Sequence, residues 1–205
     1  AGMRGGRREI GAAIAAGRQH HNLCPETVNR AIVHLQADDT TAAALAVHDV
    51  VAVVRPDLRP RIKWPNDVLI GGAKFCGILP EVVASSPTAI VIGCGINLAH
   101  APQGTPYPVT ALGSGLSVES VLQKLDATLS NRLKNWDEGR GFDGIRQDWL
   151  ARAFGVGGAV TAQAGTAEIH GTFQSIADDG ALVVVLADGS RKFIHSGEVK
   201  FAELE

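Results

Sequence analysis

Three short segments in the first half of the chain carry residues that can act on an anionic ligand. The first, RIKWPNDVLI, places Lys63, Asn66 and Asp67 around Trp64 and Pro65. Proline fixes the backbone and favours an extended conformation in the residue before it, while asparagine and aspartate favour turns. We therefore predict a turn between two strands, with Trp64 in the core. A cation at the inner end of a strand requires a partner, which for Lys63 is either Asp67 or a ligand phosphate.

In the second segment, GGAKFCGIL, a lysine precedes an apolar strand and a glycine interrupts that strand. These residues are Lys74 and Gly77. Glycine inside a strand often marks the close approach of a ligand or of another backbone. In that interpretation Lys74 neutralises an anionic group and Gly77 makes room beside it. The alternative is an exposed lysine at a strand end and a glycine in a β-bulge, and these residues fit it equally well.

The third segment, AIVIGCGINL, ends an apolar strand at Gly93, Gly95 and Asn97. A Gly-x-Gly pair after a strand suggests a dinucleotide fold, but the G-x-G-x-x-G pattern is incomplete and no helical pattern follows at once. A Rossmann domain is therefore weakly supported. We expect instead a strand end whose glycines expose backbone to a ligand, with the Asn97 amide reading a base edge or a ribose.

Bulk composition gives no reason to expect nucleic acid or a membrane as a partner. The 205 residues include 19 basic and 21 acidic side chains, a formal net charge of -2. The apolar stretches are shorter than the roughly 18 residues of a membrane span, and no signal-peptide pattern is present. We therefore expect a cytoplasmic protein. The opening AGMRGGRRE combines glycine with Arg4, Arg7 and Arg8, which predicts a mobile, basic loop where an anion would bind.

The three cysteines do not suggest a disulfide framework. Cys24, Cys76 and Cys94 are unevenly spaced, and two of them lie in apolar runs, which indicates reduced thiols that act as small hydrophobic residues. His20 and His21 with Cys24 lack a fourth ligand at a recognisable spacing. We therefore do not expect a metal site there.

Hydrophobic periodicity predicts alternating helices and short strands. Ser117 is a good N-cap for the most regular helix, on which Trp136 is a core residue, and Trp149 is the corresponding residue of the next helix. The predicted elements are a helix over 41–54 closed by Pro56, strands over 61–64, 68–70, 75–83 and 89–98, a helix from Ser117 to Trp136, and a helix from about Asp143 that stops at Gly155. The segment GVGG then marks a boundary. Beyond it, closely spaced strands predict a small barrel of the SH3 kind.

In this order, KWPNDV, GxKxxGIL and IVIGxGIN resemble the biotin protein ligases, the biotin-[acetyl-CoA-carboxylase] ligases. The likeness extends from about Leu45 to the C-terminus and includes the SGEVKF run near the end. It implies an α+β fold in which a mixed sheet packs with helices, as in class II synthetases and biotin–lipoate ligases, followed by a small SH3-like barrel. We place the catalytic domain at 1–155 and the barrel at 156–205.

The resemblance also implies an activity and its partners. Biotin would be activated with Mg-ATP as biotinyl-5'-AMP and transferred to one lysine of a biotin carboxyl carrier protein of acetyl-CoA carboxylase. Relatives dimerise through sheet edges, so a homodimer is possible, although the sequence identifies no edge. Two other functions stay open: an inert protein that binds biotin or biotinyl-adenylate, and a ligase for another acid such as lipoate.

Residue by residue, the likeness assigns roles within the three segments. Lys74 would be catalytic and contact both the biotin carboxylate and the adenylate phosphate, and Asp67 would face Mg²⁺. The biotin site implied by the resemblance consists of Lys74, Gly77, Leu79 and Gly93 with Arg4, Arg7 and Arg8, and the ATP site consists of Lys63, Asn66, Asp67, Lys74 and Asn97.

The N-terminal part departs from the family pattern. Members carry a Gln-Thr-Ala-Gly-Arg-Gly-Arg-Arg-Gly-Arg loop, whereas this chain begins AGMRGGRREI, so the three arginines are assigned to that loop only collectively. The chain starts after the family's Ser-Thr-Asn segment, which indicates an N-terminally incomplete catalytic domain, and residues 11–40 are also atypical. No helix-turn-helix precedes the catalytic region, so binding to DNA is not expected.

Overall fold

The computed structural model describes residues 13–14, 31–33, 40–85, 88–165 and 167–202. The predicted mobile loop with Arg4, Arg7 and Arg8 lies outside these residues, as does the group formed by His20, His21 and Cys24. Those predictions stay predictions.

The first sheet has six strands in the order β1-β2-β6-β5-β4-β3. Its strands are β1 (Ala13–Ile14), β2 (Ala31–Val33), β3 (Pro60–Lys63), β4 (Asp67–Ile70), β5 (Ala73–Ser85) and β6 (Thr88–Ile96). Neighbouring strands pair antiparallel, and the parallel pairs in the part described are the isolated bridges Ile62 to Ala153 and Lys74 to Val109. The four strands predicted between Arg61 and Leu98 are confirmed, with β5 extending further at both ends than its apolar run.

The α-helices of the described residues are α1 (Thr40–Val54), which packs on the sheet, α2 (Val118–Trp136), which packs on α1, and α3 (Phe142–Arg152), which contacts both of these helices and β3. The first is rich in alanine and valine and packs on both α2 and the sheet, so most of its residues are buried. Ser117 caps α2 as predicted, because its hydroxyl accepts the backbone N–H of Ser120 at 3.1 Å. Trp136 and Trp149 are buried at 4% and 1% exposure, which confirms both as core residues.

The predicted end of α3 at Gly155 is wrong. The helix ends at Arg152, and Ala153 is already extended (φ -67°, ψ 145°). The chain leaves the helix early because the Phe154 N–H donates to the Ile62 carbonyl at 2.7 Å, next to the bridge between Ile62 and Ala153. Gly155 has φ +77°, and a Cβ there would collide with the ring of Phe201. Position 155 therefore requires glycine so that Phe201 of the second sheet can pack against this segment.

The second sheet has five strands in the order β10-β9-β8-β7-β11, all paired antiparallel. They are β7 (Ala159–Ala164), β8 (Ala167–Ile176), β9 (Leu182–Val185), β10 (Arg191–Ile194) and β11 (Glu198–Phe201). Edge-to-face contacts of Trp149 with Phe173 and of Phe154 with Phe201 join its core to that of the first sheet. Within the strands described, no pairing between β10 and β11 closes the sheet. The expected fold class, helices on a sheet followed by a small β unit, is confirmed.

A shared arginine fixes the three helices relative to one another. Arg132 of α2 donates to Asp49 of α1 at 2.8 Å and also pairs with Asp148 of α3. Burial opposes ionisation of Asp49, but hydrogen bonds from His48 and Arg132 outweigh it and hold the pKa of that carboxyl below its usual value. The helix layer is therefore stabilised by charge as well as by apolar packing.

Candidate functional site

The turn between β3 and β4 is formed by Trp64, Pro65 and Asn66, with a cis bond before the proline. Trp64 is only 4% exposed, which confirms it as a core residue, and its indole N–H donates to the Gly180 carbonyl at 3.0 Å. Asn66 binds β5 twice, because its carbonyl accepts the Ile78 N–H and its amide donates to the Ile78 carbonyl, both at 2.8 Å. The turn is therefore fixed at Trp64 by Gly180 and at Asn66 by Ile78.

Directly after this turn, Asp67 forms an ion pair with Lys74. The ammonium lies 2.7 Å from Oδ1 of the carboxylate, and the side chains are 28% and 18% exposed for Lys74 and Asp67 respectively. The lysine approaches outside hydrogen-bond geometry, and Oδ1 is buried without any hydrogen bond within the described residues. The contact between the two side chains is therefore ionic, and Oδ1 is enclosed next to the ammonium.

This pairing bears on Lys63, for which two partners were open. Lys63 lies opposite Asp67 in the register between β3 and β4, yet the carboxylate pairs with Lys74 instead. No ion pair in the part of the chain described here includes Lys63. A role toward a ligand phosphate stays a prediction for this side chain.

Gly77 provides the space that the pair occupies. It lies opposite Asp67 in the register between β4 and β5, and a Cβ on it would be 3.1 Å from Cε and 3.2 Å from Nζ of Lys74. The β-bulge falls elsewhere, where the pairing shifts between Val68 and Leu69. Of the two interpretations of the Lys74 and Gly77 spacing, the structure favours the one in which the glycine makes room beside the cation.

An exposed apolar side chain lies beyond this charged pair on β5. Leu79 lies two residues beyond Gly77 and is 60% exposed. Its partner on β6 is Gly93, where a Cβ would lie 3.4 Å from the Leu79 carbonyl. A face with a cation at one end and uncovered apolar surface at the other suits a small molecule with an apolar body and an acid group.

The segment that follows β6 packs beside the lysine. The Lys74 N–H donates to the Pro108 carbonyl and its carbonyl accepts the Thr110 N–H, each at 2.9 Å. Asn97 secures the same segment, since its side-chain amide donates to the Thr110 carbonyl at 3.0 Å. The predicted contact of Asn97 with a nucleotide stays a prediction, and the observed contact positions the chain next to Lys74.

Sequence reasoning missed Tyr107. Its ring centroid is 5.4 Å from Nζ of Lys74, within the range of a cation–π contact, and the residue is 49% exposed. It is the one tyrosine of the chain, between two prolines in a segment without hydrophobic periodicity. A single tyrosine between two prolines was the only feature of the sequence that could have drawn attention to it. The ring reaches the site because the backbone of the following residues, Pro108 and Thr110, is hydrogen-bonded to Lys74.

The buried thiols of Cys76 and Cys94 have raised pKa values. Burial raises the pKa of Cys94 to about 12 and raises that of Cys76 well above its ordinary value. Both are free cysteines that pack in the core, as predicted. Both thiols therefore stay protonated at neutral pH and act as small apolar groups.

The described residues contain no cluster of three or more histidine, cysteine or acidic side chains that would enclose a metal ion. Asp67 is the carboxylate that the site offers to a cation. Mg²⁺ is commonly held by one or two carboxylates together with substrate phosphates and water. One carboxylate therefore fits a metal that arrives with a nucleotide, and such a metal would share Asp67 with the Lys74 ammonium.

Family models match both parts of the chain. The model of the biotin/lipoate A/B protein ligase family covers residues 41–97, which include α1 except Thr40, the strands β3 to β6 and the three motif segments except Leu98. The model of the biotin protein ligase C terminal domain covers residues 156–201, which are the second sheet.

Curated relatives agree. The chain is 39% identical over 171 residues to a biotin--[acetyl-CoA-carboxylase] ligase of Paracoccus denitrificans, covering 78% of this chain and 70% of that protein. The enzyme of the same name from Mycobacterium tuberculosis is 30% identical, with 77% and 60% covered. A bifunctional ligase/repressor of Bacillus subtilis is also 30% identical, and the match spans 45% of its length.

Solved structures show the same fold. The biotin protein ligase of Aquifex aeolicus superposes with a TM-score of 0.71 at 21% identity over 84% of this chain and 80% of that one. Its complex with biotin and ATP gives 0.73 at 21% identity, over 86% and 78%. The fold and site define an α+β ligase domain joined to a small β unit. The chain belongs to the biotin protein ligase family.

Within the described residues, no helix combines the length and the apolar character needed to cross a bilayer.

Proposed function

We propose that this chain is an ATP-dependent biotin ligase, which forms biotinyl-5'-AMP and transfers the biotinyl group to a lysine of a biotin carboxyl carrier protein. The observation that carries the proposal is the face on which Lys74, Gly77, Leu79 and Gly93 lie together. It offers a cation for a carboxylate and an apolar surface for the rest of biotin. Family membership supplies the reaction class.

In the first step, one oxygen of the biotin carboxylate attacks the α-phosphorus of ATP. A P–O bond forms while the bond to the pyrophosphate leaving group breaks, which yields the mixed anhydride and pyrophosphate. Both reactants are anions, so the step needs a positioned positive charge. Lys74 supplies it, because Gly77 leaves room for its ammonium and both Asp67 and Tyr107 restrict where that ammonium can lie.

In the second step, the neutral ε-amine of the carrier lysine attacks the acyl carbon of the anhydride. A C–N bond forms, the C–O bond to AMP breaks, and the amine releases a proton to solvent. Charge that develops on the departing phosphate is again next to Lys74, which can stabilise AMP as a leaving group.

Asp67 is the residue that would hold Mg²⁺. A bound Mg²⁺ neutralises phosphate charge during phosphoryl transfer. The structural basis is the buried Oδ1, which accepts no hydrogen bond from the described residues. Because that oxygen also faces Lys74 at 2.7 Å, Asp67 orients the lysine while no nucleotide is bound.

We also propose the remaining contacts with the nucleotide and with the adenylate. Lys63 and Asn66 would face the polyphosphate, since they flank the turn that leads to Asp67, and Asn97 would contact the nucleotide. Arg4, Arg7 and Arg8 would close over the adenylate as a group. We also propose a division into domains at 1–155 and 156–205, a cytoplasmic location and a homodimer.

Adenylation is tested by pyrophosphate release from Mg-ATP with biotin or lipoate as the acid. We expect release with biotin and far less with lipoate, and Lys74→Gln should abolish it. Tight biotin binding without pyrophosphate would instead identify an inert binding protein. A preference for lipoate would assign the site to the other acid.

A further inference from the structure

The turn between β8 and β9, residues 177–181, meets the turn that carries the candidate site. A cavity of about 260 Å³ is lined by residues of both turns. One wall is formed by Trp64, Pro65 and Asn66, and the opposite wall by Asp179 and His195 of the small sheet. The two units are therefore adjacent at the edge of the sheet that leads to Asp67.

The turn of the small sheet is internally braced. Ala177 donates to the Ala181 carbonyl at 2.8 Å, and the Asp179 carboxylate accepts the Ala181 N–H at 3.0 Å. The other oxygen of Asp179 lies 3.0 Å from Nε2 of His195. On the other side, Arg146 of α3 donates to the Ile176 carbonyl at 3.3 Å. These hydrogen bonds fix the position of the Gly180 carbonyl, which belongs to the same turn.

Trp64 connects the turn of residues 177–181 to the candidate site. Its indole N–H donates to the Gly180 carbonyl at 3.0 Å, so the ring is fixed in rotation as well as by packing. Asn66 and Asp67 follow within three residues, and the Asn66 carbonyl accepts the Ile78 N–H at 2.8 Å. The ring and the carboxylate that pairs with Lys74 therefore lie three residues apart, at the two ends of one turn. Misplacement of a reacting group lowers the rate more than it lowers binding.

We propose that the turn of residues 177–181 is a positioning element for adenylate formation, and that it acts through the hydrogen bond from Trp64 to Gly180. Trp64 is thus a positioning residue, and the small sheet contributes to the first chemical step without contacting the reacting atoms. This inference rests on the proposed function.

Trp64→Phe tests the inference, with Trp136→Phe as the matched control. Each variant removes one buried indole N–H and keeps an aromatic ring, but the N–H of Trp136 has no partner among the described residues. We expect Trp64→Phe to lower kcat for biotin-dependent pyrophosphate release about tenfold, the size of one hydrogen bond. Biotin Kd should change by a smaller factor than kcat, because Lys74 and the Leu79 face keep all their side chains.

A purely structural role would lower Tm and leave kcat unchanged at a temperature where both variants are folded. Asp179→Asn serves as a second variant, since it weakens the brace from His195 at an exposed position. Its kcat should fall in the same direction, by a smaller factor. Wild-type kcat in Trp64→Phe, or equal losses in Trp64→Phe and Trp136→Phe, would overturn the inference.

Hydrogen exchange separates this inference from the proposed function, because it needs no activity. The Ile78 N–H, which donates to Asn66, should exchange about tenfold faster in Trp64→Phe than in Trp136→Phe. Unchanged Ile78 exchange refutes the positioning role whether or not the chain is active. Faster exchange in a chain that releases no pyrophosphate supports the mechanical link and refutes the proposed function alone.

Discussion

Replacing Asp67 with Asn should strengthen biotin binding, whereas replacing Lys74 with Gln should weaken it. The two side chains form one ion pair at 2.7 Å, so an incoming carboxylate meets a nearly neutral site. Asp67→Asn leaves the cation unopposed. Lys74→Gln leaves the Asp67 carboxylate facing the biotin carboxylate. The two variants shift the local charge by one unit in opposite directions.

The magnitudes follow from the pair's geometry. At this separation the Coulomb attraction is about 6 kcal/mol for an effective dielectric constant of about 20, and desolvation and screening leave a net contribution of roughly 1 kcal/mol. Freeing Lys74 should therefore tighten biotin binding by up to about fivefold. Losing its charge-assisted contact costs about 1.5–3 kcal/mol, which corresponds to roughly 10- to 150-fold weaker binding.

Calorimetry with biotin alone, without nucleotide or metal, measures these differences directly. Asp57→Asn is the matched control, since it breaks an exposed pair with Arg55 and should leave biotin affinity unchanged. If Asp67→Asn weakens biotin binding as strongly as Lys74→Gln does, the pair is a structural unit and the reasoning about the carboxylate is refuted. Adenylate formation should decrease in both variants.

Three further outcomes are expected. Gly77→Ala places a methyl group 3.1 Å from Cε of Lys74, so biotin Kd measured by calorimetry should rise about tenfold with little change in Tm. Tyr107→Leu removes the ring beside that ammonium and should weaken biotin binding about two- to fivefold in the same assay, with Tm unchanged. Arg132→Met removes the arginine that Asp49 and Asp148 share and should lower the free energy of unfolding by about 1–3 kcal/mol in urea titrations. Because the folded pKa of Asp49 is depressed, the part of this loss that comes from Asp49 should be fully present above its unfolded pKa of about 3.8 and should disappear as the pH falls through the lower folded pKa.

Local patterns predicted most of the fold. The apolar period of 3.6 residues located α1 and α2, and Ser117 supplied the cap at the expected place. Turn residues located the strands between Arg61 and Leu98. The end of α3 was missed because it is set by a contact with β3, which lies far away in the sequence.

The candidate site was predictable in its members but not in its pairing. Spacing alone linked Lys74 with Gly77, because a missing side chain beside a cation is visible in the sequence. It did not link Lys74 with Asp67, since the β-bulge between β4 and β5 decides which side chains meet. Tyr107 and Gly180 reach the site through tertiary contacts, for which no local pattern exists.

The most direct measurement of the central claim is biotinyl transfer followed by intact-mass spectrometry. The chain is incubated with biotin, Mg-ATP and an apo carboxyl-carrier domain, and a carrier whose acceptor lysine is changed to arginine serves as the control. We predict that the carrier gains the mass of one biotinyl group, that the carrier without the acceptor lysine gains none, and that Lys74→Gln prevents the gain. An unmodified carrier, with the chain folded and all substrates present, would contradict the claim that this protein is a biotin ligase.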